Sequence, residues 1–307
     1  MTAVSNTQPG VLTTTGTALV TGAARGIGAA VTHRLVGRGF HVIAVDSCAG
    51  EDTEAGYPLS TCADLDAVAA AHPGAVTPMV ADVRDAAAMR AVAERVDTER
   101  GDLTVVVAGA AIIGGGDALW DTDDALLDAI WRADAVTVWN TAKATVPLLL
   151  RQEASRRPAF VAITSGAGEH GLYHLSAYCM AKHAVVGLVR GLAADVVGQH
   201  LTVAGVSPGS TDTQMLRATA HLYQLDGIER AAAEMRRGRG MRGAAGEDEI
   251  GAGVGERRRH HHFPEARRVP GDGDVGVSEG PGAHHEGFCG AAFFRGAAVI
   301  AHAAGNF

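Results

Sequence analysis

The chain has 307 residues, enough for two domains or for one domain and a surplus. With 34 acidic against 26 basic residues and a net charge of −8, it lacks the basic face of a nucleic-acid binder. No apolar run reaches the about 18 residues that cross a bilayer, the start MTAVSNTQPG has no basic or apolar leader region, and four scattered cysteines form no CxxC pair, which together predict a soluble cytoplasmic protein without membrane, metal or disulfide framework.

Residues 1–16 read as a flexible N-terminus. Ala18-Leu19-Val20 opens a short apolar strand, and a helix is predicted from about Ile27 to Val36. His41 to Asp46 is a second strand, and Pro78 to Asp82 a third, followed by an Ala-rich helix to about Arg100. Leu103 to Ala108 is a fourth strand, then a long helix covers roughly Asp123 to Leu150. Ala159 to Thr164 is a fifth strand, Ser176 to Val197 a helix, and Leu201 to Val206 a sixth strand. Strands apolar on both faces and separated by helices imply a parallel sheet covered on both sides. Right-handed crossovers make that sheet doubly wound, an α/β Rossmann-type single domain over residues 17–234.

Composition changes near residue 235. Residues 1–225 hold 20 leucines and residues 226–307 none, while 16 glycines, ten arginines and six histidines fall in the last 73 positions. Neither a 3.6 nor a 2 repeat survives there. Two readings stay open for this 235–307 tail: a natural disordered extension, or translation out of register after a frameshift in GC-rich DNA. The run Arg257-Arg258-Arg259-His260-His261-His262 reads as solvated. Only FCGAAFFRGAAVIAHAAGNF could supply a strand, and without a proper last strand one sheet edge would be left unpaired.

The first strand runs into Thr21-Gly22-Ala23-Ala24-Arg25-Gly26-Ile27-Gly28. Glycines at 22, 26 and 28 allow a tight turn and close approach of a pyrophosphate to a helix N-terminus, whose unpaired N–H groups favour anions. A glycine pattern alone is weak, but a strand before it and a helix after it supply the required context. Asp46 ends the second strand, where a carboxylate can accept both ribose hydroxyls and repel a 2′-phosphate; with Ser47 beside it in place of an arginine, NAD is favoured over NADP. Asp82 and Val83 could flank the adenine, and capping of the local turn is an equal reading for Asp82.

Tyr178-Cys179-Met180-Ala181-Lys182 places a phenol and an ammonium four apart, on one helix face. A nearby ammonium stabilises phenolate and lowers the phenol from its reference value of about 10, giving an acid/base usable near neutral pH. Ser165, at the end of the fifth strand, could hydrogen-bond a carbonyl or alcohol oxygen beside it. Lys182 is one of two lysines in the chain, Lys143 being the other, beside 24 arginines.

TGAARGIG, Asp46, Ser165, YCMAK and Pro208-Gly209-Ser210-Thr211-Asp212-Thr213 together resemble the short-chain dehydrogenases/reductases, over roughly residues 17–235. The stretch Ser47 to Leu65, Tyr178-Cys179 and GLVRGLAADVVG resemble the mycofactocin-linked, carveol-dehydrogenase-like branch. That resemblance implies NAD held tightly under an inserted loop and reoxidised by an external redox carrier. It further implies Tyr178 as general acid/base, Lys182 holding the ribose and tuning Tyr178, Ser165 orienting the substrate oxygen, and Pro208, Gly209, Thr211 and Thr213 closing around the nicotinamide. Gly22, Arg25, Gly26, Ile27, Gly28, Asp46, Asp82, Val83 and Ala108 would complete the cofactor contacts. Pairing through the long helices around 123–150 and 176–198 would make a homo-oligomer.

Departures from the family pattern bear on function. The Asn-Asn-Ala-Gly expected after the fourth strand reads Ala108-Gly109-Ala110-Ala111, which predicts a looser adenosine contact. The Asn that supports a water relay aligns with Asp134, which could serve through its backbone carbonyl or mispair with Lys182. The family's closing helix and last strand have no clear counterpart, GAAVIAHAAGNF bearing a faint likeness to that strand. Trp120, His170, Tyr173 and the segment from Thr213 to Met235 suggest an apolar secondary alcohol or ketone as substrate, with packing of the loop an equal reading for His170 and Tyr173. The expected activity is hydride transfer between such an alcohol and NAD. The alternative is an NAD-binding protein that no longer turns over; a sugar-nucleotide epimerase is disfavoured by the glycine spacing.

Overall fold

The computed structural model describes residues 15–51 and 55–223 and the backbone of 292–295. The strands are β1 (Gly16–Thr21), β2 (Phe40–Asp46), β3 (Val76–Val80), β4 (Leu103–Ala108), β5 (Ala159–Ile163), β6 (Thr202–Ser207) and β7 (Ala292–Arg295). They form one sheet in the order β3-β2-β1-β4-β5-β6-β7, parallel throughout. The order reverses between β1 and β4, and it is outside the carboxyl ends of the strands at such a switch point that a doubly wound sheet offers its crevice.

Alternate side chains of each strand enter opposite layers. Leu19, Ile43, Val106, Phe160 and Val203 meet Met89, Val96, Val138, Leu149, Val185 and Val189, which come from α3 (Ala86–Glu99), α5 (Thr137–Leu150) and α6 (Ser176–Asp195). Val20, Val42, Ala44, Val107 and Val161 face the other way, against Val31 and Leu35 of α1 (Gly26–Val36) and Leu65 of α2 (Cys62–Ala70). Both faces are therefore dry, as the continuous apolar strands require.

The long helix expected over 123–150 is three pieces in line: α4 (Asp124–Ile130), a π-helical turn over Trp131–Val136, and α5. A π turn inserts an extra residue per ring and recurs at functional sites; here it carries Asp134. The third strand begins at Val76, two residues ahead of the expected Pro78, and stops at Val80. Two helices were not anticipated. α2 opens on a capping box, in which Thr61 accepts from the Asp64 N–H and the Asp64 carboxylate accepts from the Thr61 N–H. α7 (Gln214–Leu222) is capped by Thr213.

Of the N-terminus read as flexible over 1–16, residues 1–14 lie outside the described residues, as does most of the 235–307 tail, whereas Gly16 is buried and opens β1. What the tail contributes within them is β7, whose Ala292 lies opposite Ala204 and Arg295 opposite Ser207. The strand falls in the AAFFR part of the terminal stretch, not in GAAVIAHAAGNF, which begins at Gly296. Pairing along β6 thus moves the sheet edge to β7 in place of the unpaired β6 edge expected from the sequence.

Candidate active site

A cleft of about 770 Å³ opens above the carboxyl ends of the strands. Its floor is the β1–α1 turn. Gly22 (φ +67°) and Gly26 (φ +55°) adopt left-handed backbone, and a Cβ on Gly22 would stand 2.8 Å from the Ala110 Cα. Gly28 is tighter: its Cβ would lie 2.0 Å from the Gly22 carbonyl oxygen, so only glycine lets α1 start this close to the strand. No side chain caps α1 at Arg25, which leaves its first-turn N–H groups for an anion in the cleft. The bare turn and uncapped helix start suit a pyrophosphate.

Asp46 stands at the end of β2, 6% exposed and lining the cleft. Its Oδ2 accepts from the Ala24 N–H at 3.0 Å, and its Oδ1 from the Cys48 N–H at 3.1 Å and the Ser60 hydroxyl at 2.6 Å. A carboxylate has about four acceptor positions, so capacity remains for a sugar hydroxyl. The loop after β2 returns over this point, with Ala49, Ala55, Tyr57, Leu59 and Ser60 lining the cleft. The Tyr57 hydroxyl accepts from the Ile113 N–H at 3.0 Å, tying the loop to the chain beyond β4, and burial pushes its phenol up to about 12.

At the other end, the first turns of α6 deliver Tyr178 and Lys182 to one buried face, with the Lys182 Nζ 5.5 Å from the Tyr178 ring centre. The Tyr178 hydroxyl shares a hydrogen bond with Ser165, whose side chain also caps the short turn Gly166–Gly168. Lys182 Nζ meets Asp134 Oδ2 at 2.9 Å, and Asp134 Oδ1 accepts from the Ile112 N–H at 2.9 Å. Asp134 is wholly buried, so both of its oxygens face donors inside the protein. Of the two roles open to Asp134 in the sequence, the structure adopts the direct pairing with Lys182.

This pairing changes the electrostatics expected from the Tyr–Lys spacing. Burial pulls the Lys182 ammonium down, but Asp134 and Tyr178 outweigh it and hold the ammonium above its ordinary value. Burial pushes the Tyr178 phenol up, Lys182 draws it down, and Asp134 pushes it up again; the balance leaves the phenol above its ordinary value. Proximity to an ammonium was expected to make the phenol more acidic. In this cluster a buried carboxylate shares that ammonium, and desolvation prevails.

Gly22, Arg25, Gly26, Ile27, Gly28, Asp46, Asp82, Val83, Ser165, Tyr178, Lys182, Pro208, Gly209, Thr211 and Thr213 all line the one cleft. Ala108 does not: it is buried inside β4, and the wall is made by the next residues, Gly109 to Ile113. The hydroxyl of Thr21 accepts from the Gly109 and Ala110 N–H groups at 3.1 and 3.3 Å, supporting that wall in the absence of the expected asparagines. Asp134 sits behind Lys182 and not on the cleft surface. The Asp82 carboxylate is engaged by the Arg84 backbone and guanidinium, which draw it below the usual range against the effect of burial. His170 and Tyr173 line the cleft, with Met215, Leu216 and Tyr223 from and after α7, whereas Trp120 is 82% exposed and outside it. Ser60, Tyr57 and Asn140 went unassigned in the sequence; Asn140 of α5 donates to the Val83 and Arg84 carbonyls at 3.0 and 3.1 Å, fixing the turn that walls the cleft. The loop residues lay within the quoted insertion, but nothing local marked which of its side chains turn inward.

A profile of the short chain dehydrogenase family matches residues 16–223. The chain belongs to that family. It is 34% identical to a (−)-trans-carveol dehydrogenase of Rhodococcus erythropolis over 65% of this chain and 72% of that protein. A 1-deoxy-11-beta-hydroxypentalenate dehydrogenase of Streptomyces avermitilis is 34% identical, over 66% of this chain and 70% of that protein. Among solved structures, the carveol dehydrogenase of Mycobacterium avium in complex with NAD is similar with a TM-score of 0.62 at 30% identity, covering 67% of this chain and 74% of that one. The chain is thus an NAD-dependent oxidoreductase acting on CH–OH donors, on the carveol-dehydrogenase-like branch of the short-chain dehydrogenases/reductases.

Proposed function

We propose that residues 17–234 form a catalytic domain that interconverts an apolar secondary alcohol and its ketone, with Tyr178 as the general acid/base. NAD, when bound, supplies the hydride acceptor or donor. The observation that carries the reading is the convergence of Ser165, Tyr178, Lys182 and Asp134 at one end of a cleft whose other end is the glycine turn. Ser165 orients the substrate oxygen beside the Tyr178 hydroxyl. In the oxidation direction Tyr178 takes the substrate's hydroxyl proton at its phenolic oxygen; in reduction it returns one. Lys182 stabilises the phenolate and holds the cofactor's ribose, and Asp134 positions Lys182 by a direct ion pair. Gly22, Gly26 and the start of α1 receive the pyrophosphate, and Asp46 the adenosine ribose.

The loop over Asp46, with Tyr57, Leu59 and Ser60 in the cleft, supports the further reading that NAD is retained between turnovers and reoxidised by an external, mycofactocin-type redox carrier. Met215, Leu216 and Tyr223 favour an apolar substrate. Among the described residues no helix is long and apolar enough to cross a membrane, in keeping with a cytoplasmic enzyme. The exposed faces of Trp131 and Trp139 on the α4–α5 helix would be covered in a homo-oligomer.

A second reading, NAD binding without turnover, is favoured by one feature: Asp134 competes with Tyr178 for the Lys182 charge. One experiment separates the two. Purified protein is checked for bound NAD, then assayed with cyclic secondary alcohols and an artificial electron acceptor. We expect turnover that falls about 10²–10⁴-fold in Tyr178→Phe, with bound NAD unchanged, the range ascribed to general acid/base catalysis. NAD retained by a wild-type protein with no turnover would establish the binder instead.

A further inference from the structure

Outside the catalytic cluster, two sulfurs meet at the adenosine shoulder of the cleft. Cys48 follows β2 by two residues, and Cys62 is the first residue of α2. Although 14 positions apart, they are close enough for Cys62 to act on the Cys48 thiol and raise it. Neither position is loosely held. The Cys48 backbone is left-handed (φ +54°), an unusual state for a residue with a Cβ, and its N–H is fixed on the Asp46 carboxylate at 3.1 Å. On the other side, Ser60 donates to the same carboxylate, Thr61 caps α2, and the Gly50 N–H and Leu59 N–H close the loop on the Ser60 and Gly50 carbonyls at 3.0 and 2.7 Å. The two sulfurs are therefore brought together by anchored backbone.

We propose that Cys48 and Cys62 are a reversible dithiol/disulfide site, oxidised by exchange with a low-molecular-weight disulfide. Cys62 is exposed and Cys48 half-buried, so an incoming disulfide reaches Cys62 first. The thiol of Cys48 is pushed up to about 12, chiefly by burial and next by its neighbour Cys62, so Cys48 stays protonated and the exposed Cys62 sulfur is the attacking one. Attack by the Cys62 thiolate breaks the reagent's S–S bond, forms a mixed disulfide and releases one thiolate. The first step also turns the Cys62 thiolate, whose charge opposed ionisation of Cys48, into a neutral mixed disulfide. Cys48 then loses that proton to water, attacks the Cys62 sulfur and expels the second thiolate, which takes up a proton. One disulfide has been reduced to two thiols and one dithiol oxidised to a disulfide.

The bond would join the end of β2 to the start of α2 directly beside the Asp46–Ser60 contact. If Asp46 holds the adenosine ribose, as proposed above, oxidation fixes that carboxylate and slows release of NAD. The bond itself does not depend on that reading, and the two can be tested apart.

The full chain is incubated with oxidised glutathione, and its free thiols, intact mass and proteolytic peptides are measured. We expect the loss of two thiols and of the mass of two hydrogens, with a linked peptide pair holding Cys48 and Cys62, all reversed by a dithiol reductant. Cys48→Ser should halt at a glutathione adduct on Cys62, and Cys62→Ser should leave Cys48 unreacted, while Cys179→Ser and Cys289→Ser still form the bond. The peptide map of the unaltered chain decides the matter even should a serine variant fold poorly. A stable glutathione adduct on unaltered Cys62, a link from either residue to Cys289 or to a second chain, or no reaction would each overturn the proposal. Release of NAD from the oxidised and reduced forms is compared separately: equal rates with the disulfide present would refute the role of Asp46 and leave the site standing.

Discussion

At the glycine-turn end of the cleft, from Gly22 to Ser60, the surface is made by backbone, bare glycines and one carboxylate held by neighbouring donors. At the opposite end it is made by ionisable side chains, Tyr178 and Lys182, whose partner Asp134 is out of reach of water. The first end is shaped by sterics. The second is a closed charge network, in which each member sets the ionisation of the others. Binding and chemistry are thus divided between two kinds of construction, and they should fail differently when disturbed.

The largest difference is expected when one member of the network is removed. Lys182→Met leaves the Asp134 carboxylate buried without its counter-ion, a change that destabilises by about 3–5 kcal/mol. At about 2–4 °C per kcal/mol, a thermal melt should register a drop of roughly 6 °C or more. The double variant Lys182→Met, Asp134→Leu should recover much of that loss while remaining inactive. Additive losses in the double variant would mean that the two residues are not coupled.

Disturbing the other end acts through shape. Gly28→Ala places a methyl 2.0 Å from the Gly22 carbonyl, and relieving that overlap must move the start of α1 off the strand. Overpacking of this kind costs about 1–3 kcal/mol, and here it also displaces the N–H groups proposed to receive pyrophosphate. NAD affinity should collapse, yet the pH profile of any residual turnover should match that of the parent. Calorimetric titration and a rate profile check the two halves of this expectation.

A smaller effect sharpens the electrostatic half. Burial and Asp134 hold the Tyr178 phenol above its ordinary value, so oxidation of alcohol should still be rising with pH in the alkaline range. Asp134→Asn keeps the shape and removes the charge that opposes Lys182; the rising limb should move toward neutrality. A limb that stays in place would remove Asp134 from the mechanism. Stability follows the same logic. A phenol whose folded value exceeds its unfolded value of about 10 binds more protons folded than unfolded above that pH. Its contribution is fully present below pH about 10 and is lost as pH rises through the folded value. Tyr178→Phe should therefore flatten the alkaline loss of stability.

The same division explains what could be read in the sequence. The glycine turn was legible because a strand, a fixed glycine spacing and a helix are all local, and Tyr178 and Lys182 because a spacing of four fixes a helix face. The partners of Asp46 were not: Ser60 lies 14 residues on and is turned inward by its own loop. Ala108 belonged to the right strand but lies one residue short of the wall, since inward or cleft-facing direction at a strand end depends on where pairing stops. Trp120 attracted notice as a large apolar residue near the site, and only the path of the chain between β4 and α4 shows it exposed. Asp134 was visible as a departure, but the π turn that carries it has no sequence signature. β7 reaches β6 from far along the chain, and its pairing is set by the open edge and not by periodicity within its own segment.

The mildest test concerns the region where the two constructions share a boundary. Asp85 caps α3, accepting from the Ala87 N–H at 2.7 Å, and lies just past the cleft-lining Asp82, Val83 and Arg84. That turn is held independently, by Asp82 on Arg84 and by Asn140 on the Val83 and Arg84 carbonyls. Asp85→Ala removes one cap and should cost about 1 kcal/mol. Because α3 is also fixed by Met89, Val92 and Val96 in the core, the helix should shift little and the cleft wall at Asp82 to Arg84 should stay in place. NAD affinity unchanged beside a melt lowered by about 2–4 °C would show that the wall belongs to its own turn. A matching loss of affinity would instead make the start of α3 part of the binding surface, and the boundary between scaffold and site would have to be drawn one helix further out.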